Sequence, residues 1–334
     1  MFLETSMFIK PLISAAILIA IVAPSQAASG FSVVVDEAAA HIDVSLDGAR
    51  IARYMHAYDP RTEETLHDTY KPYLHIYDAS GERLITKGPG GRYTHHRGIF
   101  VGFQELKHVE EDGKEKGYDR WHMRDGAIVQ TAIVEATGGA DSATIRVAND
   151  WMNKDAAPFG REERTMTFTR APDELGRFMV DLRSVLTPLS GSIEITPNQD
   201  QKGKGDAEHN GLQFRAADDI KNKVTSYLLP VEDKVSADGT SNVDLNWAVL
   251  RYELESDPDA TGHVIWCMSH PKNPTGALWS VYRDYGRFGT APSGTATMDA
   301  PLDLGARFIV ASGELPSREA AAAAYASYAE GAAR

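Results

Sequence analysis

Short apolar segments separated by turn residues recur along most of the chain. His41–Leu46 alternates apolar and polar positions with the period of a strand, and Asp47-Gly48 leads from it into Arg50–Met55, which predicts a β-hairpin. Tyr73–Tyr77 and Arg83–Thr86 flank another turn sequence and predict a second hairpin. Further strands are predicted at Phe31–Asp36, Ile99–Phe103, Ala127–Glu135, Thr144–Ala148, Arg164–Thr169, Arg177–Leu186, Ser192–Thr196, Val224–Val231, Trp247–Leu254, His263–Met268, Leu278–Arg283 and Ala306–Ala311.

Helical periodicity is confined to the last part of the chain. Arg318–Glu330 is rich in alanine and follows Ser317, a residue type that readily caps a helix. Because the strands follow one another without crossover helices, the pattern favours an all-β fold over a parallel α/β fold. We therefore predict a large antiparallel β-sandwich of two sheets, forming one domain over residues 28–334 with the helix at 318–330 packed on its outside.

The first 27 residues have the pattern of a signal peptide. Lys10 precedes an apolar run at residues 11–23, and Ser25-Gln26-Ala27 supplies a small-residue exit. The run is shorter than a membrane-spanning helix requires. We expect cleavage after Ala27 and a periplasmic or secreted protein that is not inserted in a membrane after cleavage.

Charge and cysteine content narrow the classes of function. The chain has 334 residues, with 47 acidic and 34 basic side chains and a formal net charge of −13. Since a nucleic-acid-binding surface is basic, this balance argues against nucleic acid as a partner. The single cysteine, Cys267, lies in an apolar segment. It excludes an intrachain disulfide and is expected to be a buried small hydrophobic residue.

Two histidines and an arginine stand directly before the predicted strand Ile99–Phe103. If the strand began at His95, then His95 and Arg97 would share one face and His96 would lie on the other. Histidine changes charge near neutral pH and also ligates metals, so His95 and His96 are candidate catalytic residues. Arg97 is a candidate for substrate binding. The alternative is a histidine that makes only a structural hydrogen bond.

Trp121 and His122 belong to a second cluster, in the segment Tyr118–His122. An aromatic surface beside hydrogen-bond donors is how proteins bind sugar rings, so Trp121 is a candidate for substrate binding and His122 for catalysis. A strand through this segment would place Asp119 and Trp121 on one face, with Arg120 and His122 on the other. The alternative for Trp121 is a place in the core.

The second half of the chain carries further candidates in turns beside strands. His209 ends a polar segment, and His270 follows the strand His263–Met268 in a proline-containing turn, so both are candidate catalytic residues. An arginine at Arg283 could bind a carboxylate in a bidentate manner, which would suit an acidic sugar, and pairing with Asp284 is the alternative. The substrate-binding candidates in this half are Asn210, Asn273, Trp279, Arg283, Asp284 and Tyr285.

The sequence lacks the common motifs of several other enzyme classes. No P-loop, nucleophile elbow, dinucleotide-binding glycine motif, HExxH or paired CxxC sequence is present. The lack of these motifs does not exclude a divalent metal as cofactor, because ligands carried by strands need no helical spacing. Two charged segments, Lys107–Gly117 and Asp200–Asn210, are predicted to be long surface loops.

Several motifs occur in one order along residues 70–315, namely Lys71–His75, His95–Gly98, Trp121-His122, His209–Arg215, His270–Pro274, Trp279 and Arg283–Gly286. Together they resemble the bacterial secreted PmoA-like proteins, whose usual label is methane oxygenase PmoA. The resemblance implies a secreted protein, often encoded beside carbohydrate-catabolic genes, with a supersandwich fold like that of sugar mutarotases and polysaccharide lyases. It implies no catalytic residues. The segment Lys107–Gly117 looks like an insertion that would alter access to the site.

Three hypotheses for the function follow. The first is a carbohydrate-active enzyme of lyase or hydrolase type, in which the candidate histidines supply general acid and base chemistry on a glycoside or modified sugar. Arg97 or Arg283 would then offset developing negative charge, while the paired carboxylates of a glycosidase are not evident. The second is a non-catalytic sugar-binding protein, and the third is a metal-dependent oxygenase, as the family label suggests. The first two take a small carbohydrate or glycan as ligand.

Overall fold

The computed structural model describes residues 29–196, 198–199, 205–206, 209–231, 245–257 and 262–333. The predicted signal peptide lies outside the described residues. The strands in chain order are β1 (Phe31–Asp36), β2 (His41–Leu46), β3 (Ala49–Met55), β4 (Tyr73–Ile76), β5 (Ile99–Phe103), β6 (Leu106–Val109), β7 (Glu115–Tyr118), β8 (Gly126–Gly138), β9 (Ser142–Asn153), β10 (Pro158–Arg170), β11 (Phe178–Pro188), β12 (Ser192–Ile195), β13 (Asn198–Gln199), β14 (Gly205–Asp206), β15 (Asn210–Arg215), β16 (Ile220–Leu228), β17 (Trp247–Leu254), β18 (His263–Ser269), β19 (Leu278–Tyr282), β20 (Arg287–Ala291), β21 (Gly294–Thr297) and β22 (Leu302–Ser312). The helices are α1 (Glu63–Thr69) and α2 (Arg318–Ala333).

Two eight-stranded sheets form the body of the molecule, and this confirms the all-β antiparallel sandwich. The first sheet has the order β1-β2-β3-β4-β5-β15-β20-β19, and the second has the order β16-β17-β18-β22-β11-β10-β9-β8. A small sheet, β21-β12-β6-β7, and the pair β13-β14 complete the described strands.

The core lies between the inner faces of the two sheets. In β15 of the first sheet, Leu212 and Phe214 point inward, and in β9 of the second sheet Ile145 and Val147 do the same. Cys267 of β18 is free and fully buried in this core, and burial raises the pKa of its thiol. Its expected role as a buried hydrophobic residue is confirmed.

Helix α2 covers the outer face of the second sheet, as the sequence predicted. Ser317 Oγ accepts a hydrogen bond from Ala320 N at 3.1 Å and so caps the helix. Tyr328 of the helix packs in an apolar cluster with Trp247 and Trp266 of the sheet. The helix runs to Ala333, slightly beyond the predicted end.

Three local expectations from the sequence are wrong or incomplete. Arg83–Thr86 is not a strand, and its strand-type pairing consists of the isolated bridges Tyr77–Leu84 and Thr86–Ala216. Lys107–Gly117 is a hairpin of β6 and β7 rather than a loop, because Leu106 and His108 alternate inward between charged outward residues. Helix α1 was not predicted, and it begins at a capping box made by Thr62. Most of Asp200–Asn210 lies outside the described residues.

The outer face of the first sheet is polar and nevertheless buried. Gln213 and Arg215 of β15 point away from the core, and both are almost fully inaccessible. Ser280 of β19 donates to Gln213 Oε1 at 2.8 Å across this face. Irregular segments at residues 87–98, 119–125 and 283–286 cover it, and Arg215 binds the Tyr285 carbonyl within one of them. The covered polar face is where the sequence-predicted clusters meet.

A buried ion pair in the second sheet connects the two sheets. Glu162 of β10 accepts hydrogen bonds from Arg164 Nε at 2.8 Å, Arg164 Nη2 at 2.9 Å, Ser184 Oγ at 2.7 Å and Trp151 Nε1 at 3.1 Å. Arg164 Nη1 also donates to the Pro72 carbonyl at 3.2 Å, at the start of β4 in the first sheet. Both charged groups are buried, so the loss of either one would leave the other as an unpaired charge inside the protein.

Replacement of Glu162 by Gln should leave Arg164 as an unpaired buried cation. We expect the free energy of unfolding, measured by urea denaturation, to fall by about 3–5 kcal/mol. The matched control is Asp303→Asn, which breaks the exposed Arg183–Asp303 pair and should cost less than about 1 kcal/mol. Equal losses for the two variants would contradict the structural role of the buried pair.

Candidate functional site

Four histidines from three chain segments meet on the outer face of the first sheet. His95 and His96 precede β5, His122 follows β7, and His209 immediately precedes β15. The ring centres of His95 and His122 are 4.4 Å apart, and those of His122 and His209 are 4.7 Å apart. His96 lies 4.4 Å from His95, in an edge-to-face contact. We call these four residues the histidine cluster.

The expected alternation of faces within these segments is wrong. Residues 92–98 and 119–125 form turns rather than strands, so neighbouring residues need not point to opposite sides. His95 and His96 therefore contact each other. Tyr93 and Met123 in these turns have φ angles of 55° and 58°, a left-handed conformation that is costly for residues other than glycine and is common at functional sites.

The turn that carries His122 sits close to β5 because of a glycine. A Cβ atom at Gly102 would lie 2.6 Å from the Arg120 carbonyl oxygen, so any larger residue there would push the turn away. Arg120 is buried and pairs with Asp125 at 2.8 Å, which closes the turn. Lys71 Nζ donates a hydrogen bond to the Trp121 carbonyl at 2.7 Å, which stabilises the turn.

Asp119 orients His122. Its Oδ2 accepts a hydrogen bond from His122 Nδ1 at 2.8 Å, and its Oδ1 accepts from the backbone N–H groups of Trp121 and His122 at 2.9 and 2.8 Å. Burial opposes ionisation of Asp119, but the hydrogen bonds from His122 and the backbone outweigh it and lower the pKa of the carboxyl group. This arrangement fixes His122 with Nδ1 protonated and Nε2 available to a ligand.

One ring nitrogen from each of His95, His122 and His209 lies within 4.8 Å of the other two. Within the described part of the chain, this is the group of residues whose spacing could hold a metal ion. His95 Nε2 is buried and has no hydrogen-bond partner among the described residues.

Burial keeps most of the cluster neutral. It lowers the pKa of His95 to about 2, helped by Lys71 and the neighbouring histidines, and lowers the pKa of His209 to about 3, helped by Arg287. The pKa of His96 is also well below its usual value, again chiefly because of burial. At neutral pH the rings of His95, His96 and His209 therefore carry lone pairs rather than positive charge.

Trp121 supports the cluster from inside. It is fully buried and packs against Phe100, His96 and His209, with ring centres 4.9, 5.9 and 5.8 Å away. It therefore offers no surface to a sugar, and the substrate-binding interpretation of Trp121 is corrected to a supporting role.

Tyr93 provides the accessible aromatic edge of the site, and the buried ring of Tyr285 packs against it. Their ring centres are 4.9 Å apart, and Tyr93 is 40% exposed. Arg92 lies over both rings and pairs with Asp284 at 2.7 Å. The sequence-predicted Asp284 and Tyr285 thus join the histidine cluster, whereas Tyr93 was not singled out as a binding residue.

Arg287 is a site residue that the sequence analysis missed. Its guanidinium lies between the rings of Trp121 and Tyr282, 5.0 and 4.2 Å from their centres. It is buried, and its Nε and Nη1 atoms have no hydrogen-bond partner among the described residues. The signal was present in the alternation of β20, since Phe288 faces the core and its neighbour must face the site.

Two candidates near the cluster have structural roles. Arg97 is fully buried and donates to the carbonyls of Thr94, His96 and His67, which holds the turn in place. Asn210 Oδ1 accepts a hydrogen bond from Gln104 N at 3.1 Å and so fixes the start of β15. Neither is assigned to substrate binding by these contacts.

Three of the other candidates, His270, Asn273 and Trp279, lie away from the cluster. His270 faces Tyr328 of α2 and lines a separate cavity of about 540 Å³ on the second sheet. Asn273 bonds Ser269 and Gly305 as a turn residue, and Trp279 is fully buried in the core between the sheets. Arg283 is half-buried in the 283–286 turn. The structure therefore removes His270, Asn273 and Trp279 from the proposed site.

A family model matches residues 41–326, which is most of the chain. The chain belongs to this family. Its description is "Family of unknown function (DUF6807)" and names no activity. The resemblance to PmoA-like proteins stays a prediction, and no curated protein matches the sequence.

Solved structures show weak similarity to this chain. Heparan sulfate lyase HepC from Pedobacter heparinus is 11% identical with a TM-score of 0.36, over 83% of this chain and 36% of that one. The α-N-acetylgalactosaminidase NagBb from Bifidobacterium bifidum, in complex with GalNAc, is 12% identical with a TM-score of 0.40, over 91% and 38%. HI1317 is 8% identical with a TM-score of 0.35, over 84% and 99%. The chain spans less than half the length of the first two. Neither described helix is long and apolar enough to cross a membrane.

The lowered pKa of His209 makes stability depend on pH. In the unfolded chain a histidine has a pKa of about 6.5, so between that value and about 3 the unfolded state binds a proton that folded His209 does not. The free energy of unfolding, measured with a chelator present, should therefore fall as the pH is lowered from about 6.5 to 4. His209→Gln should make this slope shallower by up to about 1.4 kcal/mol per pH unit. An unchanged slope would contradict the neutral, buried state of His209.

Proposed function

We propose that the protein is an exported carbohydrate-active enzyme, of lyase type, that acts on an acidic sugar at the histidine cluster. The observation that carries this proposal is the convergence of His95, His122 and His209 beside the exposed ring of Tyr93 and the buried guanidinium of Arg287, whose Nε and Nη1 have no hydrogen-bond partner among the described residues. Neutral ring nitrogens, an aromatic edge and a cation with two such nitrogens together suit a sugar that carries a negative charge.

Substrate recognition is assigned to the rim of the cluster. The exposed part of the Tyr93 ring can stack on a sugar ring, beside the surface ion pair of Arg92 and Asp284. Arg287, buried beside the cluster, would bind a carboxylate of the substrate and offset negative charge that develops during the reaction. An uncharged sugar would supply no negative charge to Nε and Nη1 of Arg287, which have no hydrogen-bond partner among the described residues.

Elimination suits the site better than hydrolysis by two carboxylates. Glycosidases need a pair of carboxyl groups on either side of the bond that breaks. Here Asp119 is bonded by His122, Asp284 is paired with Arg92, and Asp218 is paired with Lys87. In an elimination, a base removes the proton on the carbon next to the sugar carboxylate. That electron pair forms a C=C bond, the C–O bond to the leaving sugar breaks, and the leaving oxygen takes up a proton.

The test is incubation of the purified protein with a panel of polysaccharides that contain uronic acids, with neutral polysaccharides as the comparison. The proposal expects ultraviolet absorbance from the new C=C bond with the acidic substrates alone. His122→Ala should lower the rate by at least about 100-fold. The matched control is His270→Ala, which alters a histidine in the separate cavity and should retain full activity.

Other outcomes would overturn this assignment. New reducing ends without a C=C bond would indicate a hydrolase. Retention of a glycan without any fragment would indicate a sugar-binding protein, the second hypothesis from the sequence. Loss of activity in His270→Ala and not in His122→Ala would place the reaction elsewhere.

A further inference from the structure

We propose that His95, His122 and His209 bind one divalent transition-metal ion of the Zn²⁺ type, at a centre that retains an open position for water or substrate. The inference adds a cofactor to the site of the proposed function. Only the role of the metal in the reaction rests on that proposed function. Binding of the metal itself can be measured without any substrate.

The spacing of the three ring nitrogens fits one small ion. An atom equidistant from three nitrogens at the largest separation of 4.8 Å would lie about 2.8 Å from each. A Zn–N bond is about 2.0–2.1 Å, so small rotations of the three rings would bring all of them into bonding distance. Imidazole also suits the divalent ions of zinc, copper, nickel and iron.

The buried nitrogen of His95 supports a ligand in this position. His95 Nε2 has no hydrogen-bond partner among the described residues although it is inaccessible to solvent. A buried polar atom without a partner is costly, and an ion is one of its ordinary explanations. His95 is one of the three histidines of the group, so an ion bound there through Nε2 would supply the missing partner.

Asp119 has the position of a supporting carboxylate. A histidine that ligates a metal usually donates its other N–H to a carboxylate, which fixes the ring and increases its basicity. His122 Nδ1 donates to Asp119 Oδ2 at 2.8 Å, so Nε2 is the atom left for the metal. Two backbone N–H groups hold Asp119 Oδ1, so the carboxylate cannot rotate freely.

The surroundings indicate an open and reactive centre. Three protein ligands are typical of catalytic zinc sites, whereas structural sites have four. The guanidinium of Arg287 lies 5.0 Å from the ring centre of Trp121, which packs against His209. A cation beside a metal favours an anionic fourth ligand, such as hydroxide or the carboxylate of an acidic sugar. A bound metal would also lower the pKa of its water toward neutrality and so supply a base.

The experiment is titration of the chelator-treated full chain, without any affinity tag, with Zn²⁺ in a calorimeter and with Co²⁺ in a spectrophotometer. The proposal expects one ion per chain at micromolar affinity or tighter, and visible Co²⁺ bands from nitrogen coordination. His95→Ala, His122→Ala and His209→Ala should each abolish this binding. Asp119→Asn should weaken it by about 10–100-fold.

Controls separate the site from other causes. His270→Ala should bind as the unaltered protein does, since His270 lies in the other cavity. Circular dichroism of each variant shows whether it folds, and His→Gln replaces any His→Ala variant that does not. The proposal is overturned if the protein binds no stoichiometric metal, or if binding survives all three substitutions.

The two proposals can fail separately. Stoichiometric metal binding without turnover of any acidic sugar would overturn the proposed function and leave the metal site standing. Turnover that persists undiminished in the metal-free protein, together with no binding in the titration, would overturn the metal site and leave the lyase assignment standing.

Discussion

The site depends on a sheet that is covered on both faces. The inner face of the first sheet packs on the apolar core, while its outer face carries Gln213, Arg215 and Arg287, which are buried without being apolar. Burial of such groups is unfavourable unless hydrogen bonds or ligands satisfy them. Gln213 is satisfied by Ser280 and by the Asn210 carbonyl, and Arg215 by Asp218 and nearby carbonyls that include that of Tyr285. Nε and Nη1 of Arg287, beside the histidine cluster, have no hydrogen-bond partner among the described residues.

The turn at 119–125 both covers part of the buried polar face and positions His122. Gly102 lets it approach the sheet, Lys71 binds its backbone, and Asp119 uses both carboxylate oxygens to fix its shape and the ring of His122. The same contacts that satisfy the buried face therefore determine where His122 points. This explains how a flat sheet, which has no natural pocket, can hold three histidines with nitrogens that face one another.

Strand alternation made the fold predictable from the sequence, whereas the site was predictable only in part. His95, His122 and His209 were identified because histidine changes charge near neutral pH and ligates metals, and because each lies in a polar segment beside a predicted strand or aromatic residue. Their convergence was not predictable, since it depends on β5, β15 and β20 being neighbours through long-range pairing. His270 and Trp279 resemble the others locally, yet one faces α2 and the other faces the core. Arg287 was missed because no strand was predicted at residues 287–291, so the alternation of β20 was not used.

The most direct test of the account is X-ray diffraction from crystals grown with Zn²⁺, recorded on both sides of the zinc absorption edge. The account requires one strong anomalous peak at about 2.0–2.1 Å from a nitrogen of His95, His122 and His209, with His122 still bonded to Asp119. A map with no peak among these three rings, or with zinc only at surface histidines, would contradict it.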